Sequence, residues 1–168
     1  MIKKRGNLLK DKRGIEGLPM HLIIIVVIAV AVLAAVLAMM KYVTFDKPME
    51  ATCLQIRGDV QKVSDTDGYL VKVNSTGSEK ITNIDFTAYI KVYEKNSEKP
   101  VSGATVTIVG AGAVGSGKTN ATGIAKVKVE NAELAENQDE VYLKIEVKAS
   151  GYQNFVDEEG LLVIRVRP

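Results

Sequence analysis

Leu22-Ile-Ile-Ile-Val-Val-Ile-Ala-Val-Ala-Val-Leu-Ala-Ala-Val-Leu-Ala-Met-Met40 runs without a charge, an amide, a glycine or a proline. At about 1.5 Å rise per residue, a helix of this length nearly matches a hydrocarbon core of about 30 Å. It is apolar on every side, so no face is left for water. A buried helix of a soluble domain would usually be shorter and would carry a polar stripe. The stretch predicts one transmembrane helix over residues 22–43. Tyr42 and Phe45 follow it, where interfacial aromatic rings would rest.

The flanks give this helix a direction. Residues 1–21 carry Lys3, Lys4, Arg5, Lys10, Lys12 and Arg13 against Asp11 and Glu16, a net +4. The chain as a whole is +2, so everything after the tail is −2. Only Lys41 and Lys47 closely follow the apolar run. The positive-inside rule then keeps 1–21 in the cytoplasm and sends the C-terminal part outside. A nearly neutral, slightly acidic body argues against nucleic acid as a partner, because phosphates need clustered Lys and Arg. The expected partners are membrane lipid and, through the apolar helix, identical or related subunits.

Beyond Phe45 the texture changes from helix to strand. Phe86 to Tyr93 alternates, with Phe86, Ala88, Ile90 and Val92 on one face. Ala104–Val109, Ile124–Val129 and Val141–Val147 alternate likewise, and Leu161–Val166 reads as a last strand. Leu54–Ile56 and Tyr69–Val73 are weaker candidates. Turn signals lie between them at Asp67-Gly68, Ser75-Thr-Gly77, Pro100–Gly103, Ser150-Gly151 and Glu159-Gly160. Residues 131–140 suit one helical turn or a solvated loop. Short, evenly spaced strands with one polar face predict an antiparallel β-sandwich. The fold class is therefore mainly β behind a single N-terminal helix. The expected organisation is a tail (1–21), the helix (22–43), a stalk with first strands (44–85) and a sandwich (86–168).

Two stretches resemble known families. Lys12-Arg13-Gly14, then Ile15-Glu16-Gly17-Leu18-Pro19 and the apolar run, resembles the leader of archaeal type IV pilin-like proteins, a class III signal. That resemblance implies peptidase cleavage between Gly14 and Ile15, with the helix retained and packed among its neighbours in a filament. Glu16 would then stand second in the mature chain, whereas many bacterial pilins carry their acid fifth. The segment also suits an uncut signal-anchor, or a secretory signal cut near Val36-Leu37-Ala38. Pro19 and Gly17 are expected to break the helix ahead of the apolar run.

Further on, Pro100-Val-Ser-Gly-Ala-Thr-Val-Thr-Ile108, Thr119-Asn-Ala-Thr-Gly123 with the strand after it, and Ile145 to Tyr152 resemble the carboxypeptidase regulatory-like domain family. The likeness runs from about residue 86 to 166. It implies an immunoglobulin- or prealbumin-like sandwich that is not an enzyme and decorates a surface or secreted protein.

One stretch imitates a nucleotide site. Gly112-Ala-Val-Gly-Ser-Gly-Lys118-Thr119 fits the phosphate-binding P-loop expression, and a strand precedes it. That chemistry needs a helix starting at the lysine, whose N-terminal amides hold the anion. Here Asn120-Ala-Thr-Gly123 leads into another alternating strand, so a glycine-rich hairpin loop is expected and no nucleotide cofactor. One histidine (His21) and one cysteine (Cys53) cannot build a catalytic triad or a zinc set. Cys53 reads as an ordinary strand residue, and His21 as an interfacial one. Asp65-Thr-Asp67-Gly68 opens like a calcium loop but lacks the distal bidentate glutamate. Asp157-Glu158-Glu159 reads as a solvated hairpin tip. Asn74-Ser-Thr76 and Asn120-Ala-Thr122 are N-glycosylation triplets in predicted turns. The sequence thus predicts a non-enzymatic cell-surface protein, a filament or envelope subunit. The alternative is an anchored binding module that uses the loops around 110–122 and 131–140.

Overall fold

A computed structural model of the chain describes residues 13–43, 45–59 and 61–167. Most of the basic tail, from Lys3 to Lys12, lies outside the described residues. The chain divides into two units, Met1–Thr44 and Phe45–Pro168.

The first unit contains helix α1, Arg13–Met40. It continues through Gly17 and Pro19, which were expected to break it. The first four N–H groups of a helix have no intrahelical partner, but Pro19 is the seventh residue of α1, so the helix runs through it at the cost of one backbone hydrogen bond. From Met20 to Met40 every residue is exposed, and this stretch is long and apolar enough to cross a membrane. β-Branched residues fill Ile23–Ile28, a run with poor helix propensity in water.

The second unit is a β-sandwich. Its strands are β1 (Met49–Gly58), β2 (Val63–Ser64), β3 (Thr66–Asp67), β4 (Leu70–Asn74), β5 (Ile81–Glu94), β6 (Thr105–Gly110), β7 (Ala113–Lys118), β8 (Ile124–Leu134), β9 (Glu140–Lys148) and β10 (Phe155–Val166). Among the described residues one sheet runs β3-β1-β5-β8 and the other β2-β4-β10-β9-β6-β7. Each strand read from the sequence coincides with an observed one. Phe86, Ala88, Ile90 and Val92 face inward from β5 as their alternation requires. The core is aliphatic: Ile56, Ile90 and Val127 of one sheet belong to the same buried cluster as Val73, Ile108, Ile145 and Val163 of the other.

Five details of the sandwich differ from the sequence expectation. The pairing is not wholly antiparallel, because β10 runs parallel to β4, with Leu162 opposite Leu70 and Val166 opposite Asn74. The chain leaves β4 for the opposite sheet and returns beside it only as its last strand. The segment 44–85, read as a stalk with first strands, supplies β1 to β4 and the start of β5 to the compact unit that begins at Phe45. Asp157-Glu158-Glu159 is not a hairpin tip but part of a bulge inside β10, where pairing with β9 jumps from Asp157 to Leu161. Residues 131–134 prolong β8, and only 135–139 turn.

The glycine-rich segment is the fifth difference: Ala113–Lys118 is an edge strand rather than a loop. Its link to β6 is the two-residue turn Ala111-Gly112, with φ of 50° and 75°. Both values are positive, as the tight hairpin turn that matches strand twist demands. The glycines of β7 have a packing role. A Cβ on Gly115 would collide with the carbonyl oxygen of Lys128, and one on Gly117 would lie 2.5 Å from that of Lys126. Bare glycine Cα atoms therefore let β7 of one sheet press onto the backbone of β8 in the other. Replacing Gly115 with alanine should cost about 1–3 kcal/mol in urea unfolding. The same change at Gly112, where nothing lies within 4 Å, should cost only the strain of its positive φ.

Candidate functional site

Strand register gives the sandwich two distinct ends. Met49 lies opposite Glu94, and Lys47 bridges Tyr152, so the chain enters beside residues 94–100 and 149–153. Ile81 lies opposite Leu134 and Gly110 opposite Ala113, which puts 59, 61–62, 75–80, 111–112 and 135–139 at the far end. The loops around 110–122 and 131–140 therefore do not form one surface. β7 spans the length between Gly112 and Thr119, and only its 111–112 end shares the far face with 135–139.

The entry end is pinned by a carboxylate. Glu94 accepts from Ser97 Oγ at 2.6 Å, from Tyr152 Oη at 2.7 Å and from Lys47 Nζ at 3.1 Å. The backbone locks the same corner: Lys47 N donates to Gly151 O, and Gln153 N donates to Lys47 O, both at 3.0 Å. The donation from Ser97, then that from Tyr152, then that from Lys47 hold the Glu94 carboxyl down at about 2, against an ordinary 4.5. Because its folded value lies below its unfolded one, the node contributes fully above about pH 4.5. That contribution fades as pH falls toward about 2. Urea midpoints measured across that window should drop more steeply in the wild type than in Glu94→Gln, which has no charge to lose.

The far end is organised by a buried arginine. The Arg165 side chain is 0% exposed. Its Nη1 donates to Gly77 O at 2.7 Å and Glu79 O at 2.8 Å, its Nη2 to Ala135 O at 3.1 Å, and its Nε to Gln138 O at 3.2 Å. One planar fork thus ties loop 75–80 to loop 135–139. The carboxylate of Asp139 stands 3.8 Å from Nε and 2.7 Å from Arg167 Nη2. Beside this brace lies an open groove of about 630 Å³, lined in part by Lys62, Asn74, Ser75, Thr76, Lys80 and Ile81. Lys80 pairs with Glu133 at 2.6 Å, and Lys62 donates to Asn83 O at 3.4 Å. The groove offers amides, hydroxyls and ammonium groups in about even measure with apolar surface, Ile81 and Val166 included, a mixed lining that suits a ligand with both polar and apolar parts.

The residues singled out in the sequence are scattered. The bond between Gly14 and Ile15 lies in the first turn of α1. Lys118 is exposed at the end of β7, and Thr119 next to it is buried. The Thr119 hydroxyl donates to Val101 O at 2.7 Å and accepts from Ala104 N at 2.8 Å, so it is fully engaged in joining β7 to the 101–104 segment. Asp65 caps the end of β1 instead of waiting for a cation: it accepts from Arg57 Nη1 at 2.9 Å and Gly58 N at 3.1 Å. Among the described residues no group of three or more His, Cys, Asp or Glu is placed to hold a metal. Cys53 is buried in β1, and burial pushes its thiol up to about 12. Asn74 and Asn120 are both exposed, one at the end of β4 and the other in the turn before β8.

No family model matches this chain, and no curated protein or solved structure matches it significantly.

Arg165 and Glu94 carry the two ends, and neither was picked out from the sequence. A signal for Arg165 exists: Leu161, Val163 and Arg165 fall on one face of β10, so the arginine takes an inward position. Glu94 gives no such sign. Of its three partners only Ser97 is near in sequence; Lys47 lies 47 residues before it and Tyr152 58 after it.

Proposed function

We propose that the chain is a non-enzymatic cell-surface protein whose helix sits in an apolar environment and whose sandwich is displayed outside. The observation that carries this reading is the uninterrupted exposure of Met20–Met40 beside a separate compact unit. Burying one Leu, Ile or Val is worth about 1.5–3 kcal/mol, so leaving such a run in water would cost tens of kcal/mol. Lipid or sister helices must cover it. The six basic residues ahead of it favour a cytoplasmic N-terminus. Within this reading the protein is a pilin-like filament or envelope subunit, supported by the likeness of Lys12–Pro19 and the apolar run to a class III signal. The likeness of residues 86–166 to carboxypeptidase regulatory-like domains supports a displayed structural or adhesive module.

A second reading, an anchored binding module, is favoured by the groove at the far end and by the arginine that holds its wall. N-terminal sequencing from the native host separates the fates of the helix. A start at Ile15 supports pilin-like processing, and a start at Met1 supports a plain anchor. Shearing intact cells separates the assemblies: filament subunits appear in the sheared fraction, whereas an anchored module stays with the membrane.

A further inference from the structure

We infer that Asn120 is the acceptor of an N-linked glycan, transferred from a lipid-linked oligosaccharide. This rests on the outward placement of the sandwich proposed above.

The turn 119–124 is held by one atom of the asparagine amide. Asn120 Oδ1 accepts from Thr122 Oγ1 at 2.7 Å, and from Thr122 N and Ile124 N at 3.0 Å each. The backbone closes the same loop, with Asn120 N donating to Ile124 O and Gly123 N to Asn120 O, both at 3.0 Å. Nδ2 donates no hydrogen bond among the described residues, and the residue is exposed. N-glycosylation uses that spare nitrogen. The bond from Nδ2 to the sugar C1 forms, the bond from C1 to the carrier phosphate breaks, one Nδ2 proton leaves, and the lipid phosphate departs with the electron pair. The product is a secondary amide that keeps Oδ1 and all three of its donors. The turn therefore survives the modification, and the sugar projects from its outer side.

The other triplet is built differently. Asn74 is the last residue of β4 and donates from Nδ2 to Ser64 Oγ at 3.3 Å, while the same hydroxyl approaches its Oδ1 at 3.5 Å. Asn74 N donates to Lys62 O, and Ser75 N to Val166 O. A sugar there would leave Nδ2 a single hydrogen, set the contact with Ser64 against the room the sugar needs, and stand in the groove wall. The geometry thus selects Asn120 over Asn74.

The test uses the full chain purified from its own host and digested with trypsin, whose cuts give peptides 119–126 and 73–80. Peptide 119–126 should be lost as the bare species and found as a heavier glycopeptide, while 73–80 stays bare. Asn120→Asp keeps the acceptor oxygen but removes the nitrogen, so the glycan should vanish with the unfolding midpoint within error of deglycosylated wild type. Thr122→Ser should keep the glycan, and Thr122→Val should lose it. Labelling whole cells with a membrane-impermeant amine reagent reads the topology separately. Trypsin does not cut after a labelled lysine, so residues 119–126 found bare and still joined through an externally labelled Lys118 to the residues before it overturn the inference alone. A sandwich protected from the reagent overturns the outward placement and the inference with it. A glycan on 73–80 instead overturns the choice of site.

Discussion

Arg165→Ala should destabilise the sandwich by about 3 kcal/mol. The estimate follows from what the guanidinium leaves behind. Gly77 O keeps a donor in Ser75 Oγ at 3.2 Å, and Ala135 O keeps one in Gln138 N at 3.2 Å. Glu79 O and Gln138 O have no second donor among the described residues. A hydrogen bond from a charged donor contributes about 1.5–3 kcal/mol net, so losing the two that have no substitute outweighs the gain from releasing a stiff side chain. Arg165→Lys should recover only part of the loss, because one ammonium cannot reach four carbonyls spread across a planar fork. Hydrogen exchange should localise the damage. Asn137 N, which donates to Ser78 O at 2.8 Å between the two loops, should lose protection in the alanine variant. The amides of β5 should keep theirs. Unchanged stability would mean that loops 75–80 and 135–139 hold together without the arginine.

The second large effect concerns α1, and magnitudes decide its form. On the insertion scale Leu, Ile and Val contribute about −0.3 to −0.6 kcal/mol each, and an arginine at the helix centre costs about 2.5–3.5 kcal/mol. About a dozen Leu, Ile and Val residues lie between Leu22 and Leu37, worth about −4 to −7 kcal/mol together. One arginine, as in Val30→Arg, should therefore be tolerated. Val30→Arg combined with Leu33→Arg should bring the sum close to zero and strip the chain from the alkali-washed membrane fraction. The sandwich should fold normally in both variants, since it is a separate compact unit. Persistent membrane association of the double variant would show that something other than the apolar helix holds the protein there.

The strands were readable because their period of two is written in aliphatic and β-branched residues. The inward positions of β5 and β9, Ile90 and Ile145 among them, are the ones the alternation gives. What the pattern did not carry depends on contacts distant in sequence. β7 reads as a loop, since glycine and serine have low strand propensity. Only the nearness of Lys126 and Lys128 of β8 explains why nothing larger fits. The parallel pairing of β4 with β10 joins segments about ninety residues apart and leaves no local trace. The bulge at Asp157–Leu161 looks like a turn because its acids and Gly160 are turn residues. There a Cβ on Gly160 would lie 2.6 Å from Ile145 Cδ1, so the glycine serves close packing inside a strand. For the site, sequence patterns named Lys118, Thr119 and Asp65, and the fold uses Thr119 and Asp65 as structural ties. Arg165 and Glu94 escaped because a charge that ties loops together is recognised by the partners the fold brings to it.

Partitioning of two chains, the full-length protein and residues 45–168, tests the account most directly. In detergent-free buffer the truncated domain should be a soluble, cooperatively folding monomer. The full chain should sediment with membranes or sheared filaments and enter solution as a dispersed species only with detergent. A full-length protein that stays monomeric and folded in plain buffer would contradict the claim that lipid or neighbouring helices sheathe α1.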